Sequence, residues 1–169
     1  MNSGNLPITK DLVLLGGGHA HVEVLKSFAM RPLPGVRLTL VTKDVDTPYS
    51  GMLPGLVAGH YEFDEAHVDL RPLARLAGAR IIHATAGGLD VDDNRLKLLG
   101  RPSLHFDVLS INTGSTPGLK AVPGAADHAV PVKPIERFLV AWKKKQQRIR
   151  EQNATSDRRF QIVVVGGGA

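Results

Sequence analysis

DLVLLGGGHAHVEVLK, residues 11–26, runs from a short apolar segment through three glycines into a segment with helical periodicity. An apolar strand that ends in glycines lets backbone N–H groups approach a pyrophosphate closely, because glycine carries no side chain. The apolar run predicts a buried strand over Leu12–Leu15. The periodicity predicts a helix over His19–Met30, with Ala20 and Leu25 on its buried face. The stretch therefore predicts a nucleotide-binding turn.

The glycine turn matches the G-x-G-x-x-G fingerprint of dinucleotide-binding folds at its first two glycines only. Gly16 permits the tight turn and Gly18 lets the backbone approach the phosphates, whereas His21 replaces the third glycine. The side chains of His19 and His21 diverge by about 200° on a helix, so we predict packing and hydrogen bonding rather than a shared metal. Glycine at position 21 is expected to be tolerated. The backbone residues predicted to hold the pyrophosphate are Gly16, Gly17, Gly18, His19 and Ala20.

A second strand is predicted over Val36–Thr42, which completes a βαβ unit. The fingerprint usually has an acidic residue at the end of this strand, bonded to a ribose hydroxyl. Here the strand ends at Thr42, followed by Lys43 and Asp44, so Thr42 or Asp44 is expected to bond the ribose. Lys43 either contacts a 2′-phosphate or is a solvated loop lysine, and we prefer the second interpretation.

The rest of the chain alternates turn-rich and periodic segments. We predict a loop over 44–60 with at most a short helix, and a second helix over 65–76 whose core includes Val68, Leu73 and Leu76. Three further strands are predicted at 80–86, 95–99 and 104–111, the first two joined by a turn at Asp92-Asp93-Asn94. A long helix over 134–152 and a polar linker over 153–159 follow.

A second apolar run, Gln161–Val165, enters Gly166-Gly167-Gly168 near the end of the sequence. We predict that it opens a second dinucleotide site, with Gly166 and Gly168 at the phosphates of the second cofactor. The predicted fold class is α/β, with a Rossmann-like first domain over 1–152. Residues 153–169 are the linker and the first strand of a second Rossmann-like domain, cut short. The alternative is a protein with one cofactor, in which Gly166–Gly168 is a terminal turn.

Composition narrows the function. The 169 residues include no cysteine, which excludes a disulfide framework or a redox-active cysteine pair in this segment. No apolar run approaches the length of about 20 residues that a membrane span needs. The formal charge of +5 includes a basic run at Lys143–Lys145 on a predicted helix. We interpret it as a solvated face, leave a peripheral membrane contact open, and expect no nucleic-acid binding, since interleaved aromatic residues are lacking.

Four segments carry a resemblance to a known family: GGGHAHVEVLK at 16–26, TPYSGMLPGLVAGHY at 47–61, INTGSTP at 111–117 and VVVGGGA at 163–169. Together they resemble the FAD-binding half of the pyridine nucleotide–disulfide oxidoreductase superfamily. Within it the sequence is most similar to the type II NADH dehydrogenase and sulfide:quinone reductase branch, and above all to the flavoprotein module fused to selenide, water dikinase. The resemblance implies an FAD-binding domain with a parallel sheet, helices and a three-stranded antiparallel meander.

The resemblance also implies particular contacts. Ile111–Pro117, introduced by Asp107, is similar to the second FAD motif of the family, in which a threonine–glycine turn returns the chain to the cofactor. The loop at 49–52 is similar to the one that lies over the flavin. Ala86 resembles a position of the family whose backbone faces the adenine. The residues carried over on this basis are Thr113, Gly114, Ser50, Gly51, Met52 and Ala86.

The departures matter for mechanism. Disulfide reductases place a cysteine pair near the flavin, and this sequence has none. The resemblance therefore implies an oxidoreductase that takes hydride from NAD(P)H and passes electrons through FAD directly to a small acceptor such as a quinone. Sulfide oxidation is disfavoured for the same reason. The alternative is a non-catalytic FAD module that regulates a fused enzyme such as selenide, water dikinase. We expect a cytoplasmic protein or one at the inner face of the membrane, and leave a homo-oligomer open.

Overall fold

The computed structural model describes residues 7–115, 118–119, 122–153 and 160–166. They divide into two compact units, one formed by Met1–Tyr49 with Phe63–Gly114 and the other by Ser50–Glu62 with Ser115–Ala169. In chain order the elements are β1 (Lys10–Leu15), α1 (His19–Met30), β2 (Val36–Thr42), β3 (Asp46–Pro48), a 3-10 turn (Ser50–Met52), α2 (Leu53–Ala58), β4 (His67–Asp69), α3 (Leu70–Leu76), β5 (Arg80–His83), β6 (Ala86–Asp90), β7 (Arg95–Leu98), β8 (Arg101–His105), β9 (Val108–Ile111), α4 (Ala125–His128) and α5 (Ile135–Asn153).

The first unit is built on a parallel sheet of four strands in the order β5-β2-β1-β9. β1 lies in the interior, with β2 on one side and β9 on the other. The chain leaves β1 through α1 towards β2, whereas β9 pairs with the opposite edge of β1. In open parallel sheets, ligands bind outside the carboxyl ends of the strands where the direction of winding reverses. The gap between the ends of β1 and β9 is such a point.

Alternating side chains of the central strands supply two separate cores, because successive residues of a strand point to opposite faces. Leu14 and Leu40 face one side, where they pack with Leu25 of α1 and Leu70 of α3. Val13 and Val41 face the other side and pack against Leu96, Leu98 and Phe106. β6, β7 and β8 on that side form an antiparallel three-stranded meander. The predicted α/β fold, a parallel sheet with helices and a three-stranded meander, is confirmed.

Two predicted helical faces need correction. Ala20 is exposed at the start of α1, and His21 takes its place among the buried residues of that helix. Leu76, predicted in the core, is 73% exposed. The predicted helix over 65–76 begins only at Leu70, because the carboxylate of Asp69 caps it by accepting the Arg71 N–H at 2.9 Å. His67–Asp69 form β4 instead.

The predicted meander was placed a few residues off. Residues 80–83 pair with β2 in the parallel sheet, and 108–111 form β9 of the same sheet. The first meander strand is Ala86–Asp90, whose two glycines hide its strand character from the sequence. The turn through Asp92–Asn94 is correct, but it joins β6 to β7. Within the predicted loop over 44–60 the chain forms β3, the 3-10 turn and α2.

The second unit contains α2, α4 and α5. The predicted long helix over 134–152 is confirmed as Ile135–Asn153. Gln161–Val165 adopts no regular secondary structure and pairs with no strand among the described residues, so the strand predicted there is not formed. Residues 154–159 of the predicted linker lie outside the described part of the chain. No described helix combines the length and the apolar character that crossing a membrane requires.

Candidate functional site: a glycine turn at the end of the central strand

The turn after β1 lies against the segment that follows β9. The N–H of Asn112 donates to the carbonyl of Leu15 at 2.8 Å, which extends the β1–β9 ladder into the turn. Gly16 has a φ of +95°, and a Cβ there would overlap the Asn112 carbonyl and lie 2.9 Å from Thr113 Cα. Only glycine satisfies both the left-handed backbone and the close approach. The first and third sequence motifs therefore meet at Gly16.

The other two glycines are also closely packed. A Cβ on Gly18 would lie 2.5 Å from the side-chain amide of Asn112, and one on Gly17 would lie 2.7 Å from Cδ1 of the buried Leu70. Gly18 itself has φ −66° and ψ 168°, a conformation open to any residue. Gly18 is therefore required for space and not for its dihedral angles.

Three backbone donors at this turn have no acceptor in the described part of the chain. Gly16 N–H donates to Val41 O at 2.8 Å and Gly18 N–H to Asn112 O at 3.4 Å. The N–H groups of Gly17, His19 and Ala20 make no such bond. His19 and Ala20 are the first residues of the twelve-residue helix α1, where N–H groups are free and the helix dipole is positive. The arrangement suits an anion.

His21, in the place of the third glycine, is 1% exposed and uses both ring nitrogens. Nδ1 lies 2.7 Å from the Gly16 carbonyl oxygen and Nε2 lies 2.9 Å from Ser110 Oγ. The predicted role in packing and hydrogen bonding is confirmed. The expectation that glycine is tolerated at 21 loses its support, because that substitution would remove both bonds and leave a cavity.

At the end of β2 the predicted ribose ligand is already occupied. The hydroxyl of Thr42, a residue 5% exposed, donates to Asp44 O at 2.7 Å and accepts the Asp44 N–H at 3.3 Å. Lys43 Nζ forms an ion pair with the Asp44 carboxylate at 2.9 Å. Thr42 shapes the turn that presents Asp44, and the charge of Lys43 is balanced within the loop. Asp44 is the better candidate of the three for a hydrogen bond to a ribose.

The remaining predicted residues of the first unit are found close to the carboxyl ends of the parallel strands. Thr113 and Gly114 directly follow Asn112, are exposed, and Gly114 has a φ of +79°. Ala86 begins β6, two residues after Ala84, whose N–H donates to Thr42 O at 3.1 Å. The structure thus brings the β1, β2 and β9 ends together, with Ala86 nearby in sequence.

Other predicted residues belong to the second unit, which is described by itself. Ser50, Gly51 and Met52 form the 3-10 turn that leads into α2. Gly166 has a φ of +93° and follows the irregular segment 161–165. Gly168 lies outside the described residues.

Among the residues that the structure describes, one cluster of metal-ligand type lies at the opposite end of β1. Ligand atoms of Asp11, His105 and Asp107 lie within 4.8 Å of one another. The Asp11 carboxylate binds the Arg37 guanidinium, with Oδ2 to Nη2 at 2.7 Å, and this hydrogen bond lowers the Asp11 pKa. Asp107 accepts the Asp11 N–H at 2.6 Å, which lowers the Asp107 pKa, and its other oxygen meets Lys10 Nζ at 3.1 Å. These partners explain the carboxylates without a metal.

Two residues that support the turn, Asn112 and Ser110, were not predicted from the sequence. Asn112 lies in the third motif, directly before the residues carried over from it, and its contact with Gly18 could have been suspected from that adjacency. Ser110 gave no signal, because a serine in a strand has no pattern that reveals a hydrogen bond to a distant histidine.

Two solved structures share this fold over most of the chain. NDH2 from Plasmodium falciparum, solved in complex with NADH, superposes with a TM-score of 0.75 at 18% identity, over 89% of this chain and 31% of that one. The sulfide:quinone oxidoreductase of Aquifex aeolicus superposes with a TM-score of 0.67 at 23% identity, over 82% of this chain and 32% of that one. At sequence identities this low, the superpositions show a shared fold and carry no information about function.

Sequence relatives agree. The sulfide-quinone reductase of Aquifex aeolicus is 29% identical over 111 residues, and subunit epsilon of the NADH-dependent phenylglyoxylate dehydrogenase of Aromatoleum evansii is 29% identical over 114 residues. The matched parts are 63% and 66% of this chain but only 25% and 27% of those relatives. The chain thus spans about a quarter of their length.

The family assignment rests on a match over almost the whole chain. The model of the pyridine nucleotide-disulphide oxidoreductase family matches residues 10–169, which include the glycine turn, the β1–β9 contact and the second glycine cluster. NADH is part of the name of the Aromatoleum evansii relative, and it is the ligand in the Plasmodium falciparum NDH2 structure. The chain belongs to the pyridine nucleotide-disulphide oxidoreductase family.

Proposed function

We propose that this chain is the FAD-binding part of an oxidoreductase that passes electrons from NAD(P)H to a small acceptor of the quinone type. The observation that carries the proposal is the trio of free N–H groups on Gly17, His19 and Ala20. They lie at the carboxyl end of the central strand, at the start of a helix, which is where dinucleotide folds bind a pyrophosphate.

The residues present fit FAD by two physical criteria. A dinucleotide needs backbone donors that are free of protein acceptors, and the turn supplies three. It also needs room for the phosphates beside the chain, and glycines at 16, 17 and 18 leave the turn without side chains. An anion at this place would satisfy the free donors and interact favourably with the dipole of α1.

The residues of the turn and those around it would each have a role towards the cofactor. Gly17, His19 and Ala20 donate to the pyrophosphate, and Asp44 accepts from a ribose hydroxyl. The backbone at Ala86 faces the adenine. Thr113 and Gly114 would return the chain to the cofactor. Bound flavin supplies the hydride-accepting chemistry, so the protein contributes position and electrostatics.

The electron donor and the electron acceptor are inferred from the relatives. The names of two relatives include quinone or NADH as reactants, which supports NAD(P)H as the donor and a quinone as the acceptor. We further propose that 1–152 form the FAD domain and that Gly166 and Gly168 open the NAD(P)H site. The absence of cysteine from the chain supports direct transfer from flavin to acceptor without a dithiol.

The test is anaerobic stopped-flow mixing of the full-length protein with NADH or NADPH, followed through the visible band of oxidised flavin. We expect the purified protein to be yellow, the band to bleach with one or both nucleotides, and a soluble quinone to restore it. Thiol alkylation of this chain should change neither rate. A protein with flavin that neither nucleotide reduces would support a regulatory FAD module instead. A colourless protein that FAD does not reconstitute would contradict the cofactor assignment.

A further inference from the structure

His21 occupies a position where the fingerprint has a glycine, yet it is as buried as the core leucines. The imidazole lies between the glycine turn and β9, and each ring nitrogen has one partner. A carbonyl oxygen can only accept, so Nδ1 must carry the proton that bonds Gly16 O. In the neutral ring Nε2 is then the acceptor for the hydroxyl of Ser110. The Gly16 carbonyl therefore fixes the tautomer, and the Ser110 hydroxyl on β9 supplies the hydrogen for Nε2.

The bond to Gly16 has a geometric consequence for the next residue. The Gly16 carbonyl and the Gly17 N–H belong to one planar trans peptide, so they point in opposite directions. A carbonyl drawn 2.7 Å from the buried Nδ1 therefore turns the Gly17 N–H away from His21. The N–H of Gly16 is fixed as well, because it donates to Val41 O at 2.8 Å. Both sides of Gly16 are anchored, and Gly17 N–H is left free.

We propose that His21 is a positioning residue for the pyrophosphate of the dinucleotide: its Nδ1–H holds the Gly16 carbonyl so that the Gly17 N–H faces the phosphates. Ser110 orients the ring and does not itself act on the turn. The inference rests on the proposed FAD site and adds to it a residue that touches no part of the cofactor. It also explains why the third glycine can be absent, since the imidazole both spaces α1 from β9 and fixes the turn.

Two amide substitutions separate the ring nitrogens. The side-chain nitrogen of asparagine is attached to Cγ, as Nδ1 of histidine is, so His21→Asn can still donate to Gly16 O. The nitrogen of glutamine lies farther out, near the position of Nε2, so His21→Gln keeps a partner in Ser110 and leaves the Gly16 carbonyl unbound. Each variant retains one hydrogen bond, and asparagine, which is one methylene shorter, leaves the larger cavity, so weaker FAD binding by His21→Gln could not be ascribed to lost volume. Ser110→Ala is the matched control that deletes only the outer bond.

FAD affinity of the full-length apoprotein, measured by quenching of flavin fluorescence, is expected to separate these variants. We expect His21→Asn and Ser110→Ala to bind FAD within about threefold of the unmutated protein, and His21→Gln to bind at least about tenfold more weakly. The thermal midpoint of His21→Asn should fall at least as far as that of His21→Gln, because asparagine leaves the larger cavity. A purely structural role would instead make FAD affinity follow the thermal midpoint, and equal affinities of His21→Asn and His21→Gln would overturn the proposal.

A second measurement needs no variant. In TROSY spectra of the unmutated apoprotein, the Gly17 amide should shift strongly when FAD is added, and ring nitrogen-15 signals should show His21 protonated at Nδ1. An unshifted Gly17 amide in a protein that binds FAD would contradict the role of His21 but not the proposed function. Failure of the unmutated protein to bind FAD contradicts the proposed function, and the inference with it.

Discussion

The side chain of Asn112 occupies the space that a β-carbon on Gly18 would need, with Cγ only 2.5 Å from that position. The second glycine of the fingerprint is thus required by a protein neighbour, in addition to the room that the proposed phosphate site would need. Asn112 also bonds Leu15 O through its N–H, so one residue after β9 fixes the start and the end of the turn. Two requirements at one glycine can be separated experimentally, because only one of them involves Asn112.

Gly18→Ala is expected to lower the free energy of unfolding by about 1–3 kcal/mol, since the new methyl group displaces the Asn112 side chain. Adding Asn112→Ala should restore most of that stability, because the colliding amide is gone. FAD affinity should stay low in the double variant, since the methyl group still lies beside the phosphates. Urea denaturation and FAD titration of the single and double variants measure the two quantities. Recovery of both would show that phosphates do not approach Gly18.

A second prediction compares two glycines with left-handed backbones. Gly16 has φ +95° and Gly100, in the turn between β7 and β8, has φ +68°. A Cβ on Gly100 has nothing within 4 Å, whereas one on Gly16 overlaps the Asn112 backbone. Gly100→Ala should therefore cost only the conformational term of about 1–2 kcal/mol. Gly16→Ala should cost several kcal/mol more or prevent folding, because the obstructing atoms are backbone. Equal losses in urea denaturation would contradict the close β1–β9 contact.

Much of this site could be predicted because its signals are local. The helix His19–Met30 and the strand Val36–Thr42 have the predicted bounds, since apolar periodicity and flanking turn residues lie within each segment. The residues of the glycine turn were named for the same reason. What the sequence could not show is pairing across long separations. The strand predicted over 104–111 divides into β8 and β9, because Val108–Ile111 pairs with Leu12–Leu15 of β1.

Individual site residues show a second limit, because the type of a residue does not reveal which partner already occupies its polar atoms. Thr42 was a reasonable ribose ligand by type and position, but its hydroxyl is bonded to the backbone of Asp44, two residues along. His21 was identified as a departure from the fingerprint, and its partner Ser110 lies 89 residues away in sequence. A departure of this kind indicates that something compensates for the missing glycine. Only coordinates show which residue does so.

Acid should weaken the first unit through the carboxylates at the start of β1. The bond from Asp11 N–H, and then Lys10, lowers the pKa of Asp107 below the ordinary 3.8, and the Arg37 guanidinium lowers that of Asp11. A lowered folded-state pKa gives stability that is complete above the unfolded value and is lost as pH falls through the folded value.

Urea midpoints should therefore drop as the pH falls below about 4, and Asp107→Asn should flatten that drop. Asparagine still accepts the Asp11 N–H but cannot be protonated. Lys10→Met is the control: it should leave most of the pH dependence, because the bond from Asp11 N–H has the larger effect on the Asp107 pKa. A pH dependence that survives Asp107→Asn unchanged would assign acid sensitivity to other carboxylates.

The last prediction removes a single backbone donor from the proposed pyrophosphate site. His19 is the first residue of α1, where proline is well accepted, and Gly18 has the ψ of 168° that a residue before proline prefers. His19→Pro therefore deletes the free N–H while α1 keeps its start, and His19→Ala keeps the N–H while it also loses the imidazole. If this N–H bonds a phosphate, His19→Pro should bind FAD at least about tenfold more weakly than His19→Ala, at similar thermal stability. Flavin-fluorescence titration of the two apoproteins measures the ratio. If both variants bound FAD as tightly as the unmutated protein, the pyrophosphate would lie elsewhere. An equal loss in both variants would assign the effect to the imidazole, whose ring centroid lies 5.0 Å from that of Tyr49 in an edge-on contact.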